Sequence, residues 1–262
     1  KNKDPMGSAV YDYFKQGKAA RLRVFSSQFE EDEIPVKDLF RSYEEMPLLE
    51  QKALQLAEGK ILDVGAGSGC HTLALRKMGK EALAIDISPW SVKVMEARGL
   101  TARQVNLFDE RFTERFDTIL MLMNGSGIIG RLERMGDFFR RIRQLLNPGG
   151  QILMDSSDLR YLFEDEDGSY LVNLAGNYYG EIDFRMQYKQ VKGDSFDWLY
   201  VDFDTLSAYA AQCGFRAECI QEGGHYDYLA RLTVTDEALL LLYGEIRVSG
   251  IIGKFFACFS LN

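Results

Sequence analysis

The sequence predicts an α/β fold built on a mostly parallel sheet, and three observations lead to this class. Short apolar segments alternate with segments of helical periodicity between residues 61 and 155. The first apolar segment runs directly into a glycine-rich turn, ILDVGAGSG at 61–69. After residue 180 the pattern changes to the period of two that is typical of antiparallel strands. Alternating strands and helices imply parallel strands joined by right-handed crossovers.

The parallel strands are predicted from short apolar segments, and the helices from the periodic segments between them. The predicted strands cover 61–64, 82–87, 101–106, 116–123 and 151–155, and the predicted helices 46–57, 71–78, 90–98 and 138–146. Ser88 followed by Pro89 marks a helix start, because serine caps free N–H groups and proline suits the first turn. The NPGG segment at 147–150 predicts a turn before the fifth strand.

The second half of the chain predicts antiparallel strands. Residues 182–189 alternate apolar and polar side chains, and 196–203 form the returning strand. A helix follows with Asp204 as its N-cap. Two further strands, 215–221 and 226–234, flank a glycine pair, so the sheet is expected to end in an antiparallel hairpin.

The remaining segments suggest how the chain is divided. Residues 1–5 resemble residues added for expression, and we leave them out of the fold argument. Residues 6–58 should form a small helical cap, and 59–234 the main domain with a β-hairpin insertion at 158–203. Residues 235–262 form an apolar tail to which we assign no function.

Composition excludes several classes of function. The chain has 262 residues, 46% hydrophobic and 27% charged, enough for a full core. A formal net charge of −8 repels phosphate backbones, so general nucleic-acid binding is not expected. Charges interrupt every apolar run before the roughly 20 residues of a membrane span. Without a signal peptide, we expect a cytoplasmic protein.

Cysteines and histidines show no metal-binding pattern. The four cysteines form no CxxC pair and have no histidine at ligand spacing. Of the two histidines, His71 falls in a first helical turn, where packing or capping is the simplest role. His225 lies beside the hairpin turn and should be solvated. We therefore expect reduced thiols and no bound metal.

The glycine turn at 61–69 carries the strongest functional signal. Glycines let a ligand approach the backbone closely, and the following helix presents unpaired N–H groups. The spacing is GxGxG, and the third glycine of the dinucleotide pattern would fall at Cys70. Asp63 lies in a buried strand and needs a partner. It can accept N–H bonds of the turn or face the ammonium of an amino-acid-like ligand.

A second acidic residue ends the next strand. Asp86 follows Asp63 by 23 residues and can accept both hydroxyls of a ribose. Ile87 can cover one face of an adenine, and Asn106 and Leu107 at the end of the third strand can lie on its other side. One sheet edge would thus supply an ammonium site, a ribose site and an adenine slot.

These motifs resemble those of the class I S-adenosylmethionine-dependent methyltransferases. The matching segments are LDVGAGSG at 62–69, AIDIS at 84–88, FDTIL at 116–120 and LLNPGG at 145–150. Together the resemblance covers roughly residues 55–234. It implies a Rossmann-like three-layer α/β/α sandwich, with a seven-stranded sheet whose last strand is antiparallel. It also implies methyl transfer from S-adenosylmethionine.

The resemblance further implies which residues bind the cofactor. The glycines of the turn should line it, and Asp86 should bind its ribose. Asn106 replaces the acidic residue that the family often has at the adenine edge. The complete expected set is Asp63, Gly65, Ala66, Gly67, Gly69, Asp86, Ile87, Asn106, Leu107 and Met123.

The methyl acceptor should lie beyond the ends of the fourth and fifth strands. Asn124 can orient it there, and Asp155 or Asp158 can act as a base, although capping explains Asp158 equally well. Tyr43 is a further catalytic candidate. Aromatic side chains can line the acceptor pocket or simply pack in the core; they are Tyr11, Tyr43, Tyr178, Tyr179 and Trp198.

Known acceptor motifs are missing from the sequence. Asn124 is followed by Gly125 and not by the Pro-Pro-aromatic segment of amino-group methyltransferases, and no Pro-Cys nucleophile of the cytosine type is present. With the acidic charge, these absences favour a small molecule over DNA. The sequence does not decide the oligomeric state, and a homo-oligomer is compatible with it.

Two other functions stay open on the sequence alone. A non-catalytic cofactor-binding or interaction protein could keep the same fold and motifs without a catalytic base. An NAD-dependent oxidoreductase would need a small residue at position 70 and a non-acidic residue at position 63. This chain has Cys70 and Asp63 there, so it meets neither requirement.

Overall fold

The computed structural model describes residues 2–163 and 177–235. The helices are α1 (Pro5–Gln16), α2 (Leu48–Leu56), α3 (Cys70–Lys77), α4 (Pro89–Ala97), α5 (Met135–Leu145) and α6 (Phe203–Gln212). The strands are β1 (Leu22–Phe25), β2 (Asp32–Ile34), β3 (Ile61–Val64), β4 (Ala82–Asp86), β5 (Ala102–Gln104), β6 (Phe116–Met121), β7 (Leu146–Ser157), β8 (Glu181–Tyr188), β9 (Val191–Lys192), β10 (Phe196–Leu199), β11 (Phe215–Glu222) and β12 (Asp227–Val234). Short 3-10 helices cover Val36–Phe40, Tyr43–Glu45, Gly125–Ile129, Leu132–Arg134 and Leu159–Phe163.

The main sheet has seven strands in the order β11-β12-β7-β6-β3-β4-β5. Strands β5, β4, β3, β6 and β7 run parallel, and β12 is antiparallel to both β7 and β11. This confirms the predicted Rossmann-like sheet with an antiparallel strand near its end. The order reverses at β3, so the carboxyl ends of β3, β4, β6 and β7 open onto one crevice, the usual ligand position of such sheets. We call this side the carboxyl edge.

Alternate side chains of the central strands pack on opposite faces of the sheet. On one face Leu62, Ile119 and Met154 join a cluster with residues of α5. On the other, Leu120 and Leu153 join residues of α2 and α3. Because both faces are covered, the strands are apolar almost throughout, which is why the sequence identifies them so clearly.

Two local predictions need correction. The N-cap of α6 is Asp202 and not Asp204: the N–H of Thr205 donates to Asp202 at 2.9 Å, whereas Asp204 lies within the first turn. Residues 147–150 do not form a separate turn, because β7 begins at Leu146 and passes through them. They form a bulge, since Leu146 pairs with Phe116 and the next pair joins Gln151 to Thr118.

A second sheet joins the N-terminal segment to the insertion. Its strand order is β10-β8-β1-β2, with β9 also paired to β8, and every pair is antiparallel. The predicted hairpin of the insertion is present, but the helical description of 6–58 is incomplete because β1 and β2 lie in it. A four-residue strand carries little local signal, and β1 is stabilised by pairing with β8, about 160 residues away.

Helix α1 packs on α4, and the residues before it take part in this contact. Asp4 caps α1 by accepting the N–H of Gly7 at 2.8 Å, and its other oxygen accepts the hydroxyl of Ser88 at 2.5 Å. The rings of Tyr11 and Trp90 lie 4.8 Å apart. Residues 2–5, left out of the sequence argument, are therefore part of the folded structure.

Some predicted features fall outside the described part of the chain. These are residues 164–176 of the insertion and, except for Thr235, the apolar tail at 235–262. Among the described helices, none is long and apolar enough to span a membrane.

Candidate functional site

The glycine turn after β3 lies at the carboxyl edge. Gly65, Gly67 and Gly69 have φ angles of 68°, 57° and 80°, a left-handed backbone that side chains disfavour. The N–H groups of Gly65 and Ala66 both donate to the carbonyl of Ile85, at 2.9 and 3.1 Å, which ties the turn to β4. The turn therefore has the shape that the spacing predicts.

The three glycines face different surroundings. A Cβ atom added to Gly67 would meet nothing within 4 Å, so the backbone there borders open space. A Cβ on Gly69 would overlap Leu100 and Met95, so this glycine is required by packing. Ala66 is buried beside the same side chains. Only the first part of the turn thus borders space for a ligand.

Asp63 lies behind the turn. Its side chain is buried, and it accepts the hydroxyl of Thr72 on α3 at 2.7 Å. Burial raises the pKa of Asp63, while the nearby His71 and the bond from Thr72 lower it. In this structure the carboxylate anchors α3 and is not turned toward the open space.

A buried charge network supports the turn from the same side. Glu50 on α2 accepts from Arg41 and lies 2.7 Å from the Nε2 atom of His71. Burial lowers the pKa of His71, but Cys70 and Glu50 raise it, and the net pKa is well above the ordinary value. His71 is therefore packed, as the sequence predicts, and its raised pKa keeps it charged; its partner Glu50 is a residue that sequence reasoning missed.

Asp86 brings the end of β4 against the glycine turn. Its two oxygens accept the N–H groups of Gly67 and Ser88, each at 2.8 Å. Burial raises the pKa of Asp86, and these two N–H groups lower it. The Asp86 carboxylate is half-buried and borders the open space at Gly67. The glycine turn and the acidic residue that ends β4 are therefore adjacent, as the motifs predict.

The expected adenine slot is only partly assembled from the predicted residues. Ile87 is 69% exposed beside Asp86, an unusual position for an apolar side chain unless something covers it. Asn106 is also exposed, and its amide oxygen accepts the N–H of Phe108. Leu107 is 3% exposed and packs in the core, so it is not available at this surface.

The turn after β6 has a strained backbone. Met123 and Asn124 both have left-handed φ angles, 65° and 55°, which cost non-glycine residues roughly 1–2 kcal/mol each. The hydroxyl of Ser157 donates to the Asn124 amide oxygen at 2.8 Å, and the N–H of Gly125 donates to Asp155 at 3.1 Å. Methionine gives no sequence signal for this backbone, whereas asparagine is enriched in the left-handed region, so it is the strain at Met123 that residue type does not predict.

The three remaining catalytic candidates are occupied by other contacts. Asp155 is buried, and burial raises its pKa to about 6 although the N–H of Gly125 lowers it. Asp158 is bound by Arg160 at 2.7 Å and by the hydroxyl of Tyr179 at 2.7 Å. Tyr43 binds Gln55 at 2.8 Å and packs beside α2, so the structure does not bring it to the carboxyl edge.

The aromatic residues predicted either to line the acceptor pocket or to pack in the core make the following contacts. The hydroxyls of Tyr178 and Tyr179 reach Asp202 at 2.6 and 3.2 Å, so they tie the insertion to the start of α6. Trp198 lies against Gly127, where any Cβ would overlap its ring. His225 is exposed at the hairpin turn. The described residues hold no group of three or more His, Cys, Asp or Glu side chains that could bind a metal ion.

Comparison with known proteins places this site in context. Residues 62–152 match a family described as a methyltransferase domain. A crystal structure of an S-adenosylmethionine-dependent methyltransferase from Bacteroides fragilis, in complex with S-adenosylhomocysteine, is 71% identical. That match covers 89% of this chain and 95% of the other, with a TM-score of 0.85.

More distant relatives differ in what they are named for. The cypemycin N-terminal methyltransferase of a Streptomyces species is 29% identical over 37% of this chain and 42% of its own length. The ubiquinone biosynthesis O-methyltransferase of Xanthomonas oryzae is 28% identical over 39% of this chain and 45% of its own. This chain thus spans less than half of the length of these two curated relatives.

Proposed function

Because the chain belongs to the class I S-adenosylmethionine-dependent methyltransferases, we propose that it transfers a methyl group to a small molecule bound at the carboxyl edge. The observation that carries this proposal is the position of the Asp86 carboxylate. It is held beside the open part of the glycine turn by the N–H groups of Gly67 and Ser88. Membership of this family also excludes the alternative function of an NAD-dependent oxidoreductase.

The residues at this edge fit S-adenosylmethionine. Asp86 would accept the ribose hydroxyls, and the exposed Ile87 would cover one face of the adenine. The open backbone at Gly67 and the exposed Gly65, with the start of α3, would hold the amino-acid end. Asn106 would meet the adenine edge with its amide. We assign Asp63 and Gly69 to support of the turn, since both are enclosed by protein.

When bound, S-adenosylmethionine would supply an already activated methyl group: its sulfur would keep the electrons of the broken C–S bond as the acceptor lone pair forms the new bond. The protein must chiefly align the acceptor and exclude water. Alignment can lower the barrier by about 7–11 kcal/mol. Asn124, fixed by Ser157, would orient the acceptor, and Asp155 would act as a positioning residue through Gly125.

A small acceptor agrees with how the edge is covered. Met123 packs against the cluster formed by α1, β1 and β8, so the second sheet and α1 enclose the end of β6. An enclosed site of this kind suits small ligands. The net charge of −8 also disfavours a nucleic-acid acceptor.

Calorimetry with S-adenosylhomocysteine tests the cofactor assignment. We expect Asp86→Ala to weaken binding by about 1–3 kcal/mol, roughly 5- to 150-fold, because a charged acceptor is lost. Asp137→Ala, at an exposed carboxylate on α5, should bind normally. Unchanged affinity in the Asp86 variant would contradict the ribose role. Binding without methyl transfer to any member of a broad small-molecule panel would favour the non-catalytic alternative.

A further inference from the structure

The side of the second sheet that faces the main domain is covered at both ends and open in the middle. Directly paired residues share a face of a sheet, which defines this inner face. It carries Leu22, Val24, Ile182, Phe184, Met186, Tyr188, Phe196 and Trp198. At the two ends, Ile182 and Tyr188 are 0% and 2% exposed, whereas Phe184 and Met186 between them are only partly buried. The protein therefore leaves apolar surface uncovered in the middle of β8.

This uncovered surface lies over the strained turn of the main domain. Trp198 on β10 packs against Gly127, three residues after Asn124. Met123 and Met186 pack against the same apolar cluster of α1, β1 and β8. These contacts place the middle of β8 near the Met123–Asn124 turn, and we call the region between them the acceptor chamber.

Aromatic rings connect the acceptor chamber to the protein surface. The Phe184 and Tyr200 rings lie 6.4 Å apart at 77°, an edge-to-face arrangement. Tyr161 is close enough to Tyr200 to act on its hydroxyl electrostatically. Tyr161 in turn stacks on Tyr226, with centroids 4.8 Å apart and planes within 10°, and these two rings are 40% and 59% exposed. A path of rings thus leads from the exposed Tyr161–Tyr226 pair to Phe184 on the inner face.

Two hydrogen-bonding groups belong to this region: the Asn124 amide in the strained turn and the Tyr200 hydroxyl in the path of rings. The amide oxygen of Asn124 is engaged by Ser157, and its NH2 group donates to no other described residue. The hydroxyl of Tyr200 likewise has no hydrogen-bond partner among residues 2–163 and 177–235. Because burial raises the pKa of Tyr200 to about 12, this hydroxyl stays protonated and can donate at neutral pH.

We propose that the methyl acceptor is a small aromatic molecule bearing a polar ring substituent, held between Phe184, Met186 and the Asn124 amide. This inference rests on the proposed function and specifies its substrate class. Edge-to-face ring contacts and sulfur–aromatic contacts favour a planar π system over a saturated ring of the same size. The Asn124 amide and the Tyr200 hydroxyl match the substituents of a phenol.

A matched pair of probes tests this assignment on the full chain saturated with S-adenosylhomocysteine. Catechol and cyclohexane-1,2-diol carry the same two hydroxyls on an aromatic and a saturated ring. The chain has two tryptophans, so Trp90→Phe leaves Trp198, on the inner face, as the single fluorescence reporter. We expect catechol to quench Trp198 saturably and to bind at least tenfold more tightly than the saturated diol.

A pair of variants places the binding on the correct face. Phe184→Leu removes a ring from the acceptor chamber, and we expect at least fivefold weaker catechol binding. Phe25 pairs with Arg185 on the outer face of the same sheet, where both Arg23 and Arg185 lie over its ring, so Phe25→Leu should leave catechol binding unchanged. Calorimetry with S-adenosylhomocysteine reports whether each variant is folded.

The outcomes separate this inference from the proposed function. Equal affinity for the two diols, no detectable catechol binding, or equal effects of the two substitutions would overturn the aromatic assignment. In each case normal S-adenosylhomocysteine binding would leave the methyltransferase proposal intact. Failure of the wild-type chain to bind S-adenosylhomocysteine would instead contradict the proposed function.

Discussion

Single charged side chains, buried where charges are costly, fix the backbone of the site. Asp155 holds the strained turn after β6, and Glu50 joins Arg41 and His71 behind the glycine turn. A buried carboxylate is stable only with partners. These residues therefore fix backbone positions that the ligand would use, without being exposed to the ligand themselves.

The pKa of Asp155, about 6 in the folded protein against an ordinary 3.8, predicts a pH dependence of stability. The folded state binds the Asp155 proton more tightly than the unfolded state does. The contribution of Asp155 to the free energy of unfolding therefore falls as pH rises from about 4 to about 6, and is constant above pH 6. The shift corresponds to about 3 kcal/mol. Denaturant unfolding at pH 4 and pH 7 should show this loss in the wild type, whereas Asp155→Asn should lack it.

Glu50→Gln should destabilise the fold by about 3 kcal/mol, because it removes the negative charge that pairs with the buried His71 and the half-buried Arg41. Urea unfolding at neutral pH would measure this change, and Glu96→Gln, at an exposed carboxylate on α4, should stay within 0.5 kcal/mol, roughly the usual surface effect. The pKa of His71 is raised in the folded state. Its contribution to stability is therefore complete below the ordinary histidine pKa of about 6.5, and is lost as pH rises through the higher folded-state pKa. Equal stability of both variants would show that the network is not energetically important.

At the scale of elements, the starts of α1, α4 and α6 are each capped by one side chain that accepts a backbone N–H of the first turn. Ser88 caps α4 as expected, because serine directly before proline satisfies both requirements of a first turn. At α6 two aspartates two residues apart are chemically equivalent in sequence, and only the backbone decides between them. Asp202 is extended, with ψ 156°, and therefore caps the helix, while Asp204 is already helical.

Replacing each aspartate in turn tests this cap. Asp202→Ala should cost about 1–2 kcal/mol, typical of a lost N-cap. It also removes the acceptor of the Tyr178 hydroxyl, so hydrogen exchange should accelerate at residues 178–180. Asp204→Ala is the matched control and should change unfolding free energy by only a few tenths of a kcal/mol. The reverse order of effects would reassign the cap.

For the whole molecule, the arrangement of the two sheets decides the shape of the site. The second sheet draws strands from the N-terminal segment and from the insertion, and Trp198 fixes it to the 3-10 helix at Gly125–Ile129. The acceptor chamber exists only because these two bodies meet. The middle of β8 and the Met123–Asn124 turn, which border it, are about 60 residues apart in the chain.

Gly127→Ala should disturb this contact, because the added methyl group overlaps the Trp198 ring. We expect a loss of about 1–3 kcal/mol, typical of overpacking, and a red shift of Trp198 emission as the ring moves toward water. Gly136→Ala is the matched control: it lies in the first turn of α5 with open space around it, and should be neutral or slightly stabilising. Identical emission and stability of the two variants would contradict the described packing.

The sequence by itself determined the sheet that holds the cofactor. Buried parallel strands are continuous apolar runs, and a glycine turn or a Ser-Pro helix start is encoded within a few neighbouring residues, so local chemistry was sufficient for Gly67 and Asp86. It could not identify Leu107 as core or Asp63 as an anchor of α3, because burial depends on what packs against a side chain.

Only the tertiary structure decided how the acceptor side is built. β1 is four residues long and pairs with β8, Tyr43 packs beside α2 and away from the site, and Asp155 bonds to a backbone N–H. Each of these outcomes depends on contacts between residues distant in sequence, and the free energy of such contacts is absent from any local pattern. The left-handed backbone at Met123 has the same origin, since methionine does not prefer it and tertiary hydrogen bonds hold the adjoining Asn124 and Gly125.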